Sequence, residues 1–364
     1  MKIVITSIGY EGIMRTNREF LVALKKQDYD VVIVAPSTTS TEEAIENGYS
    51  YVPITIEPHG TNLIQELRLL IQFIRIYRFI KPDLVMSHTI KPDVYSGIAC
   101  RFLNIPYLAV INGIGDAIYN HGILSKIVLK LLKISLKKCK WVFFQNRRNR
   151  DFFISEHIVT ATNSSVVPGS GVNLDKHPYE KYPSDSDIII ITYIGRISKD
   201  KGINELLEAF VLLKKKYQNI QLRMIGTCAY GFEEKIRNAE MKNAIKYLGT
   251  VSSDEIHKYI KESHAVILPS YHEGIPNVLL EAGAAGRPII TTFAEGCEDT
   301  FDDGVSGIGF APKSSEAIEI AVEKFLKMSF SEKEKMGFEA NKKITNEFDR
   351  KFVIEHYMKV IKAL

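Results

Sequence analysis

The clearest chemical pattern in this sequence is a pair of glutamates, Glu273 and Glu281, in the stretch SYHEGIPNVLLEAGAAGRPIITT at residues 270–292. Seven residues separate the two, and a Gly-Ile-Pro-Asn turn follows the first. Paired carboxylates can do acid–base chemistry, and they can also accept hydrogen bonds from sugar hydroxyls. The alternative, from spacing alone, is a charge favoured by a helix dipole together with a solvated glutamate.

The turn between the glutamates has the features of a helix start. A predicted strand ends just before it, and Pro276 suits the first helical turn, where its missing N–H would have had no partner. Gly286 is placed to end the helix. The backbone N–H groups of Ile275, Asn277 and Val278 are therefore expected near a helix N-terminus, which is a natural anion site.

A second group of residues with chemical potential lies in YIGRISKDKGINELLEAF, residues 193–210. A predicted strand ends at Gly195, the following turn carries Arg196 and Lys201, and Gly202 precedes a helix. Two cations in a glycine turn at the end of a strand suit a diphosphate, through the guanidinium fork and the ammonium charge. A solvated basic turn is the alternative, but the glutamate pair in the same half of the chain favours the phosphate.

Candidates in the first half of the chain also follow predicted strands. SIGYEGIMR offers Gly9, Gly12 and Arg15 after the first strand, and an ordinary strand–helix turn is the alternative to a ligand-binding loop. The stretch MSHTIKPDVYSGIA places His88 and Lys91 at the end of another predicted strand.

The next predicted strand is followed by AVINGIGDAIY, with three further candidate residues, Asn112, Gly113 and Asp116. A single histidine or aspartate is more often structural than catalytic. A structural role for His88 and for Asp116 therefore stays open.

The elements that must position these residues form two successive series of apolar runs alternating with helical patterns. Predicted strands cover residues 2–8, 29–36, 49–56, 82–89, 106–113 and 140–146, then 187–195, 220–227, 245–251, 264–270 and 287–292. Such alternation predicts an α/β fold of two parallel, doubly wound sheets, with ligands at the carboxyl ends of the strands. The boundary is expected in the Gly-, Pro- and Ser-rich residues 167–187, and the chain beyond about residue 314 is expected to be helical.

Composition excludes several classes of protein. The 364 residues suit two domains, and a net charge of +4 is too small to argue for nucleic-acid binding. The four cysteines are scattered without a CxxC pair, so a reducing, cytoplasmic compartment is expected. The apolar run near the N-terminus is too short for a signal peptide, and no run reaches the roughly 18 apolar residues of a membrane span.

Three of these motifs resemble one family. EGIPNVLLEA resembles the E-x7-E motif of retaining glycosyltransferases with the GT-B fold, family 4 (glycosyl transferases group 1), and GRISKDKG resembles that family's diphosphate-binding turn. VPGSGVNLDKH resembles its interdomain linker. The resemblance covers essentially the whole second half of the chain.

The resemblance implies a nucleotide-sugar held by the second domain. Arg196 and Lys201 would bind the diphosphate, Glu281 the ribose, and Glu273 the sugar, where its charge would steady the anomeric carbon. Backbone groups of the glycine turn would contact the sugar and phosphate. The implied donor-binding residues are Gly9, Gly12, Gly195, Arg196, Lys201, Glu273, Gly274, Ile275, Pro276, Asn277 and Glu281.

The implied architecture has two Rossmann-like domains facing each other across a cleft. Residues 1–170 would form the acceptor-binding domain together with the C-terminal helix 350–364, which packs back on it. Residues 171–349 would form the nucleotide-sugar-binding domain. Arg15, His88, Lys91, Asn112 and Gly113 are the implied acceptor residues.

The sequence departs from the family at one position. Many members have a histidine facing the donor sugar in the loop after the fifth strand, and Asn112 stands at the aligned position here. This difference puts in doubt any mechanism that needs an imidazole at that point. His88 and Asp116 are the other candidates for chemistry at the acceptor.

The subgroup resembled most closely builds bacterial capsule, O-antigen or N-glycan precursors on polyprenyl diphosphate. It implies a UDP-sugar donor carrying a HexNAc or hexose, a polyprenyl-diphosphate-linked saccharide acceptor, and no metal. The acid-free helix 123–140, with lysines among apolar residues, is expected to attach the protein to the anionic inner face of the plasma membrane. An ordinary core helix with a solvated lysine face is the alternative for this segment.

Two other functions fit the same architecture. A nucleotide-sugar 2-epimerase would work without an acceptor. A non-catalytic sugar-nucleotide-binding subunit would bind the nucleotide-sugar without hydrolysing or transferring the sugar.

Overall fold

Two units make up the chain: Met1–Ser170 with Phe352–Leu364 form unit 1, and Gly171–Lys351 form unit 2. A computed structural model describes residues 1–37, 41–57, 60, 62–114, 118, 122–184 and 188–364, without the side chain of residue 43. The chain leaves unit 1 within the predicted linker VPGSGV and returns to it in the last helix.

Unit 1 is built on a parallel sheet of seven strands in the order β3-β2-β1-β4-β5-β6-β7. The strands are β1 (Lys2–Thr6), β2 (Asp30–Ala35), β3 (Ser50–Pro53), β4 (Leu84–His88), β5 (Tyr107–Ile111), β6 (Trp141–Phe144) and β7 (Ser164–Val166). The helices that the structure describes are α1 (Tyr10–Lys25), α2 (Thr41–Glu46), α3 (Leu63–Ile80), α4 (Ile90–Leu103), α5 (Ile123–Leu136), α6 (Arg147–Ser155) and, at the C-terminus, α13 (Arg350–Lys362). Because β1 pairs with both β2 and β4, the switch point of the sheet lies between β1 and β4.

Alternating residues of these strands face two separate cores. Val4 of β1 packs with α3, α4, α5 and α6 on one face, while Ile3 and Ile5 pack with α1 and α13 on the other. The last helix is fastened there by the edge-to-face contact of Tyr357 with Phe20, whose ring centroids lie 5.3 Å apart. The C-terminal helix therefore completes unit 1, although unit 2 precedes it in the chain.

Helix α4 is an element that sequence periodicity did not predict. It lies between α3 and α5 and is buried on most sides, so it lacks the apolar stripe of an ordinary surface helix. Gly97 allows its close approach to α5, because an added Cβ would clash with the hydroxyl oxygen of Ser135.

Unit 2 is built on a parallel sheet of six strands in the order β10-β9-β8-β11-β12-β13. The strands are β8 (Ile189–Ile194), β9 (Ile220–Ile225), β10 (Ile245–Tyr247), β11 (Ala265–Leu268), β12 (Ile289–Thr292) and β13 (Gly307–Phe310). Its helices are α7 (Ile203–Lys216), α8 (Glu233–Met241), α9 (Ile256–Lys261), α10 (Asn277–Ala284), α11 (Ser315–Lys327) and α12 (Phe330–Glu347). β8 and β11 are neighbours, with Ala265 beside Ile191, so the switch point of this sheet lies between them.

The prediction of two parallel α/β sheets is confirmed, and each run predicted as a strand contains an observed strand. Three local predictions need correction. Strands β7 and β13 were not among the runs predicted from periodicity, because strands of three and four residues are too short to show a clear pattern. The basic helix predicted over 123–140 ends at Leu136, and Pro276 is the N-cap of α10 instead of its first residue.

Candidate functional site

Except for Gly9 and Gly12, which belong to unit 1, the residues predicted to bind a nucleotide-sugar lie at or next to the carboxyl edge of the unit 2 sheet. Residues 195–202 follow β8, residues 269–276 follow β11, and residues 293–297 follow β12. Because β8 and β11 are neighbours at the switch point, the first two loops lie side by side. The geometry therefore brings together two motifs that the sequence keeps more than sixty residues apart.

Glu273 is the centre of this arrangement. One carboxylate oxygen, Oε1, accepts a hydrogen bond from Lys201 Nζ at 2.5 Å and another from Ser270 Oγ at 2.7 Å. The Lys201 and Glu273 side chains are only 19% and 16% exposed. The second carboxylate oxygen has no partner among the residues that the structure describes, so it is available to a ligand.

Arg196 is held differently, by an acid within its own turn. Its Nη2 contacts Asp200 Oδ2 at 3.0 Å, and its Nε donates to Ser198 Oγ at 3.3 Å. Burial raises the pKa of Asp200, but the hydrogen bond from Ser198 and the charges of Arg196 and Lys201 outweigh it, so the pKa is lowered. Asp200 is therefore ionised at neutral pH and orients the guanidinium.

Two glycines let the loops approach each other. Gly202 has a φ of 68°, and an added Cβ there would clash with the carbonyl oxygen of Pro269. Gly296 has a φ of 76°, and an added Cβ would clash with the carbonyl oxygen of Gly274. The backbone of the Glu273 turn is therefore packed tightly between the loops that follow β8 and β12.

The N-terminus of α10 lies directly after this turn. The N–H groups of Asn277 and Val278 have no acceptor among the described residues, and Asn277 Oδ1 is buried without a partner. Ile275 is buried and packs with Leu280 beneath the turn. These groups leave α10 able to bind an anion or a polar ligand group at its first turn.

Glu281 lies one turn further along α10 and is 8% exposed. His177, from the segment of unit 2 that precedes β8, is its electrostatic neighbour. Burial lowers the pKa of His177, and the charge of Glu281 opposes that shift. The sequence did not single out His177, because it lies about a hundred residues from Glu281.

In unit 1, His88 ends β4 at the switch point and is 3% exposed. Its Nε2 has no hydrogen-bond partner among the described residues. Burial lowers the pKa of His88 to about 4, so the imidazole is neutral at pH 7. Nearby, Asp93 is fully buried and accepts a hydrogen bond from Ser87 Oγ at 2.6 Å, and burial raises the pKa of its carboxyl group.

We expect His88 to make the stability of the protein sensitive to acid. The unfolded chain binds a proton at His88 below its ordinary pKa of 6.5, whereas the folded chain binds it only near 4. Stability is therefore lost as the pH falls through this window, by about 3 kcal/mol in total. Urea titration gives the free energy of unfolding of wild type and of His88→Gln at each pH. Between pH 7 and pH 4, the wild type should lose this amount of stability relative to His88→Gln. Parallel pH profiles for the two proteins would contradict the assignment.

Lys91 is engaged within unit 1. Its Nζ contacts Glu66 Oε1 at 2.7 Å and donates to the carbonyl oxygens of Gly60, at 2.9 Å, and Glu57. The lysine therefore ties α4 to the start of α3 and to the segment after β3. A role in acceptor binding would require it to exchange one of these contacts.

The other unit 1 candidates are placed as follows. Gly9 is the N-cap of α1 in an extended conformation, and an added Cβ at Gly12 would meet nothing within 4 Å, so the fold itself requires neither glycine. Arg15 is exposed on α1. Asn112 follows β5 with Gly113, and its Oδ1 is buried without a hydrogen-bond partner in the part of the chain that the structure describes. Asp116 lies outside the described residues.

The structure thus gathers Gly195, Arg196, Lys201 and Glu273 at one switch point, with Gly274–Asn277 beside them. It places Gly9 and His88 at the other. Sequence reasoning missed Ser198, Asp200 and Ser270, which orient the charged groups. The Arg-x-Ser-x-Asp spacing of the first turn was a usable signal for two of them, whereas Ser270 carried none.

Two family matches cover most of the chain. Residues 179–343 match the family described as "Glycosyl transferases group 1", and residues 13–146 match "Glycosyl transferase 4-like". Among curated proteins, the chain is 22% identical to N,N'-diacetylbacillosaminyl-diphospho-undecaprenol alpha-1,3-N-acetylgalactosaminyltransferase of Campylobacter jejuni, covering 99% of this chain and 98% of that protein. It is 25% identical to the capsular polysaccharide biosynthesis glycosyltransferase CapM of Staphylococcus aureus, covering 94% and 91%.

Solved structures show the same fold. Sucrose-phosphate synthase from Thermosynechococcus elongatus superposes with a TM-score of 0.81 at 16% identity, over 100% of this chain and 98% of that one. HepE from Anabaena, in complex with UDP and glucose, superposes with a TM-score of 0.80 at 18% identity, over 100% of both chains. The predicted GT-B fold is confirmed by these neighbours.

Proposed function

Since the chain belongs to the glycosyltransferases of group 1, we propose that it moves a HexNAc or hexose from a UDP-sugar to a polyprenyl-diphosphate-linked saccharide, with retention of configuration. The observation that carries this proposal is the Lys201–Glu273 contact at the unit 2 switch point, with Arg196 in the adjoining turn. The ammonium group of Lys201 lies directly beside the Glu273 carboxylate, and this arrangement supports binding of a diphosphate next to a sugar.

Arg196, Lys201 and the first amides of α10 supply the positive charge for the leaving diphosphate. Preorganised charge of this kind stabilises the negative charge that develops as the glycosidic bond breaks. Glu281, on the same helix, is the proposed ribose ligand. UDP is the proposed nucleotide, and its presence in the complex of the structurally similar HepE supports that choice.

The proposed mechanism is attack from the face of the leaving group. A diphosphate oxygen takes the proton of the acceptor hydroxyl, and the hydroxyl oxygen bonds to the anomeric carbon as the bond to UDP breaks. Glu273 steadies the positive charge on the sugar. This route needs no imidazole at Asn112, which suits the departure of this chain from the common family pattern.

Unit 1 is the proposed acceptor-binding unit. The name of the Campylobacter jejuni relative, which describes transfer to an undecaprenyl-diphosphate-linked sugar, supports the acceptor class. Arg15, His88, Lys91, Asn112 and Gly113 are the proposed contacts. His88 Nε2 and Asn112 Oδ1 are buried atoms without a hydrogen-bond partner among the described residues, so an acceptor hydroxyl would give them one.

The experiment is a two-step assay. Nucleotide-sugars are first screened for protection against thermal unfolding, because a ligand that binds only the folded state raises its apparent stability. Release of nucleotide from the best ligand is then measured with and without a polyprenyl-diphosphate sugar. Acceptor-dependent release supports the proposal. Acceptor-free epimerisation, or binding without turnover, would contradict it.

We also propose attachment to an anionic membrane, through exposed residues of α5 and α3. Lys126, Lys130 and Lys133 on α5 and Arg68 and Arg75 on α3 are exposed. Large apolar side chains on the same two helices are also exposed, among them Ile64, Leu67, Ile123 and Ile127.

The two acids of helices α3, α4 and α5 do not offset these cations at the surface. Glu66 is 12% exposed and paired with Lys91, and Asp93 is fully buried. Cations among apolar side chains, without exposed acids, suit a bilayer surface that contains anionic lipid. None of the described helices is long and apolar enough to cross a bilayer.

Charge reversal on α5 should weaken membrane binding strongly. Each cation near an anionic bilayer contributes about 1 kcal/mol, so Lys126→Glu with Lys130→Glu should lower the affinity for phosphatidylglycerol vesicles by about 30-fold or more. Co-sedimentation measures the effect. Ile320→Ser, at an exposed apolar residue of unit 2, is the control and should bind like wild type. Equal binding of wild type to neutral and anionic vesicles would contradict this attachment.

A metal is not part of the proposed mechanism, because Arg196 and Lys201 carry the charge that a cation would otherwise supply. Among the residues that the structure describes, no group of three or more His, Cys, Asp or Glu side chains could hold a metal ion. Because Arg196 and Lys201 supply this charge in the proposed mechanism, transfer in the two-step assay should be insensitive to EDTA.

A further inference from the structure

Both cations assigned to the diphosphate are already paired with carboxylates of the protein. Lys201 is paired with Glu273 at 2.5 Å, and Arg196 with Asp200 at 3.0 Å. The two pairs differ in exposure, because Arg196 is 54% exposed whereas Lys201 and Glu273 are both under 20%. An arriving diphosphate must therefore compete with an internal carboxylate mainly at Lys201.

We propose that Lys201 and Glu273 form a latch that the nucleotide-sugar opens, an inference that rests on the proposed function. The diphosphate takes Lys201 from Glu273, because it offers more negative charge than a single carboxylate. Glu273 Oε1, which Lys201 releases, then accepts a hydrogen bond from a hydroxyl of the transferred sugar. Recognition of the sugar is thereby coupled to binding of the diphosphate.

The structure shows why Glu273 stays in place when Lys201 leaves it. Ser270 is fully buried, donates from Oγ to Glu273 Oε1 at 2.7 Å, and accepts at its own carbonyl from Thr292 Oγ1 at 2.7 Å. The Glu273 backbone N–H also donates to the Glu295 carbonyl at 3.0 Å. The carboxylate is therefore anchored, and Ser270 is its positioning residue.

Lys201 is the mobile partner of the pair. Its Nζ is at the end of a flexible four-carbon chain, and Glu273 Oε1 is its ion-pair partner in the part of the chain that the structure describes. Rotation about the bonds of this side chain can redirect the ammonium group from Glu273 to a bound phosphate without backbone movement.

The latch has a consequence for product release. A nucleoside diphosphate without its sugar must break the Lys201–Glu273 pair, yet it offers Glu273 no hydroxyl in return. After transfer, the pair re-forms and competes with the product for Lys201. The protein should therefore bind an intact nucleotide-sugar better than the nucleoside diphosphate.

The test is isothermal titration of UDP and of the UDP-sugar selected in the thermal screen. Glu273→Gln keeps the size of the side chain but removes the charge that holds Lys201. It should tighten UDP binding by about five- to tenfold, through loss of a nearby like charge, and abolish the preference for the UDP-sugar. Ser270→Ala keeps the ion pair, so UDP binding should stay within about twofold while UDP-sugar binding weakens by about fivefold.

Glu205→Gln is the matched control. Glu205 is an acid of α7 that accepts a hydrogen bond from Tyr271 at 2.8 Å and pairs with no cation among the described residues. It should leave the affinities of both ligands unchanged. If Glu205→Gln also tightened UDP binding, the effect of Glu273→Gln would be explained by the loss of any nearby negative charge. That result would overturn the latch.

The latch and the proposed function fail in different ways. The latch alone is overturned if Lys201→Met weakens UDP binding but Glu273→Gln leaves UDP binding unchanged or weakens it. The proposed function itself is overturned if the wild-type protein does not bind UDP. It is also overturned if Lys201→Met binds UDP with the same affinity as the wild type. Thermal unfolding of each variant shows whether its fold is retained.

Discussion

Lys201→Met is expected to lower kcat/KM for sugar transfer by about a thousandfold. Removing one preorganised charge or hydrogen-bond donor from a developing negative charge typically costs two to three orders of magnitude. Here the loss is at the upper end, because the substitution would also leave the anchored Glu273 without its cation. Initial rates with the UDP-sugar and the polyprenyl-diphosphate acceptor measure the effect.

Lys199→Met is the matched control for this prediction. Lys199 lies in the same turn, two residues away, and its side chain is exposed. It should keep kcat/KM within about twofold, since surface substitutions away from such contacts have small effects. A loss of less than tenfold for Lys201→Met, or an equal loss for Lys199→Met, would contradict the role given to Lys201.

The largest effect on stability is expected at Arg287. This arginine is fully buried, and its guanidinium donates to six carbonyl oxygens at 2.9–3.3 Å. The acceptors belong to Glu180, Lys181, Ile260, Lys261, Ala285 and Gly286. Arg287 therefore joins the linker to the carboxyl ends of α9 and α10, where helix dipoles favour a cation.

Arg287→Met should lower the free energy of unfolding by about 4 kcal/mol, because it leaves buried carbonyl groups without donors. Urea titration followed by far-UV circular dichroism measures the change. Trp141, the single tryptophan, lies in β6 of unit 1 and reports the unfolding of that unit separately by fluorescence. The circular dichroism transition should move to lower urea in this variant.

Arg237→Met is the control for Arg287. Arg237 is exposed on α8, so its loss should change the free energy of unfolding by no more than about 0.5 kcal/mol. A similar small change for Arg287→Met would mean that the carbonyl groups find other donors, and that Arg287 does not hold these segments together.

Most of the fold could be predicted from sequence because its signals are local. Buried parallel strands are short apolar runs between helical patterns, and both kinds of pattern can be recognised in a single sequence. Helix α4 escaped prediction for a physical reason, since burial between α3 and α5 removes the polar face that makes a helix recognisable. The basic helix was predicted too long, because Lys137, Lys138 and Lys140 continue its charge pattern past Leu136.

By itself, the sequence determined which residue types are available at the site and which turns carry them. The glutamate pair around Gly274–Asn277 and the basic turn after β8 are local patterns, and their chemistry can be inferred from neighbours in the chain. The family resemblance depends on the same local motifs, and the family matches confirm it.

Only the tertiary structure decided how these residues are paired. Lys201 and Glu273 are 72 residues apart and meet because β8 and β11 are adjacent, a strand order that short-range periodicity does not encode. The same holds for Arg287, whose six acceptors come from three segments. It also holds for the pairing of Glu66 with Lys91 and for the burial of Asp93, which together leave the exposed cations of α3 and α5 without exposed acids on α3, α4 or α5. Such contacts depend on which strands become neighbours, and that order is set by packing of the whole unit.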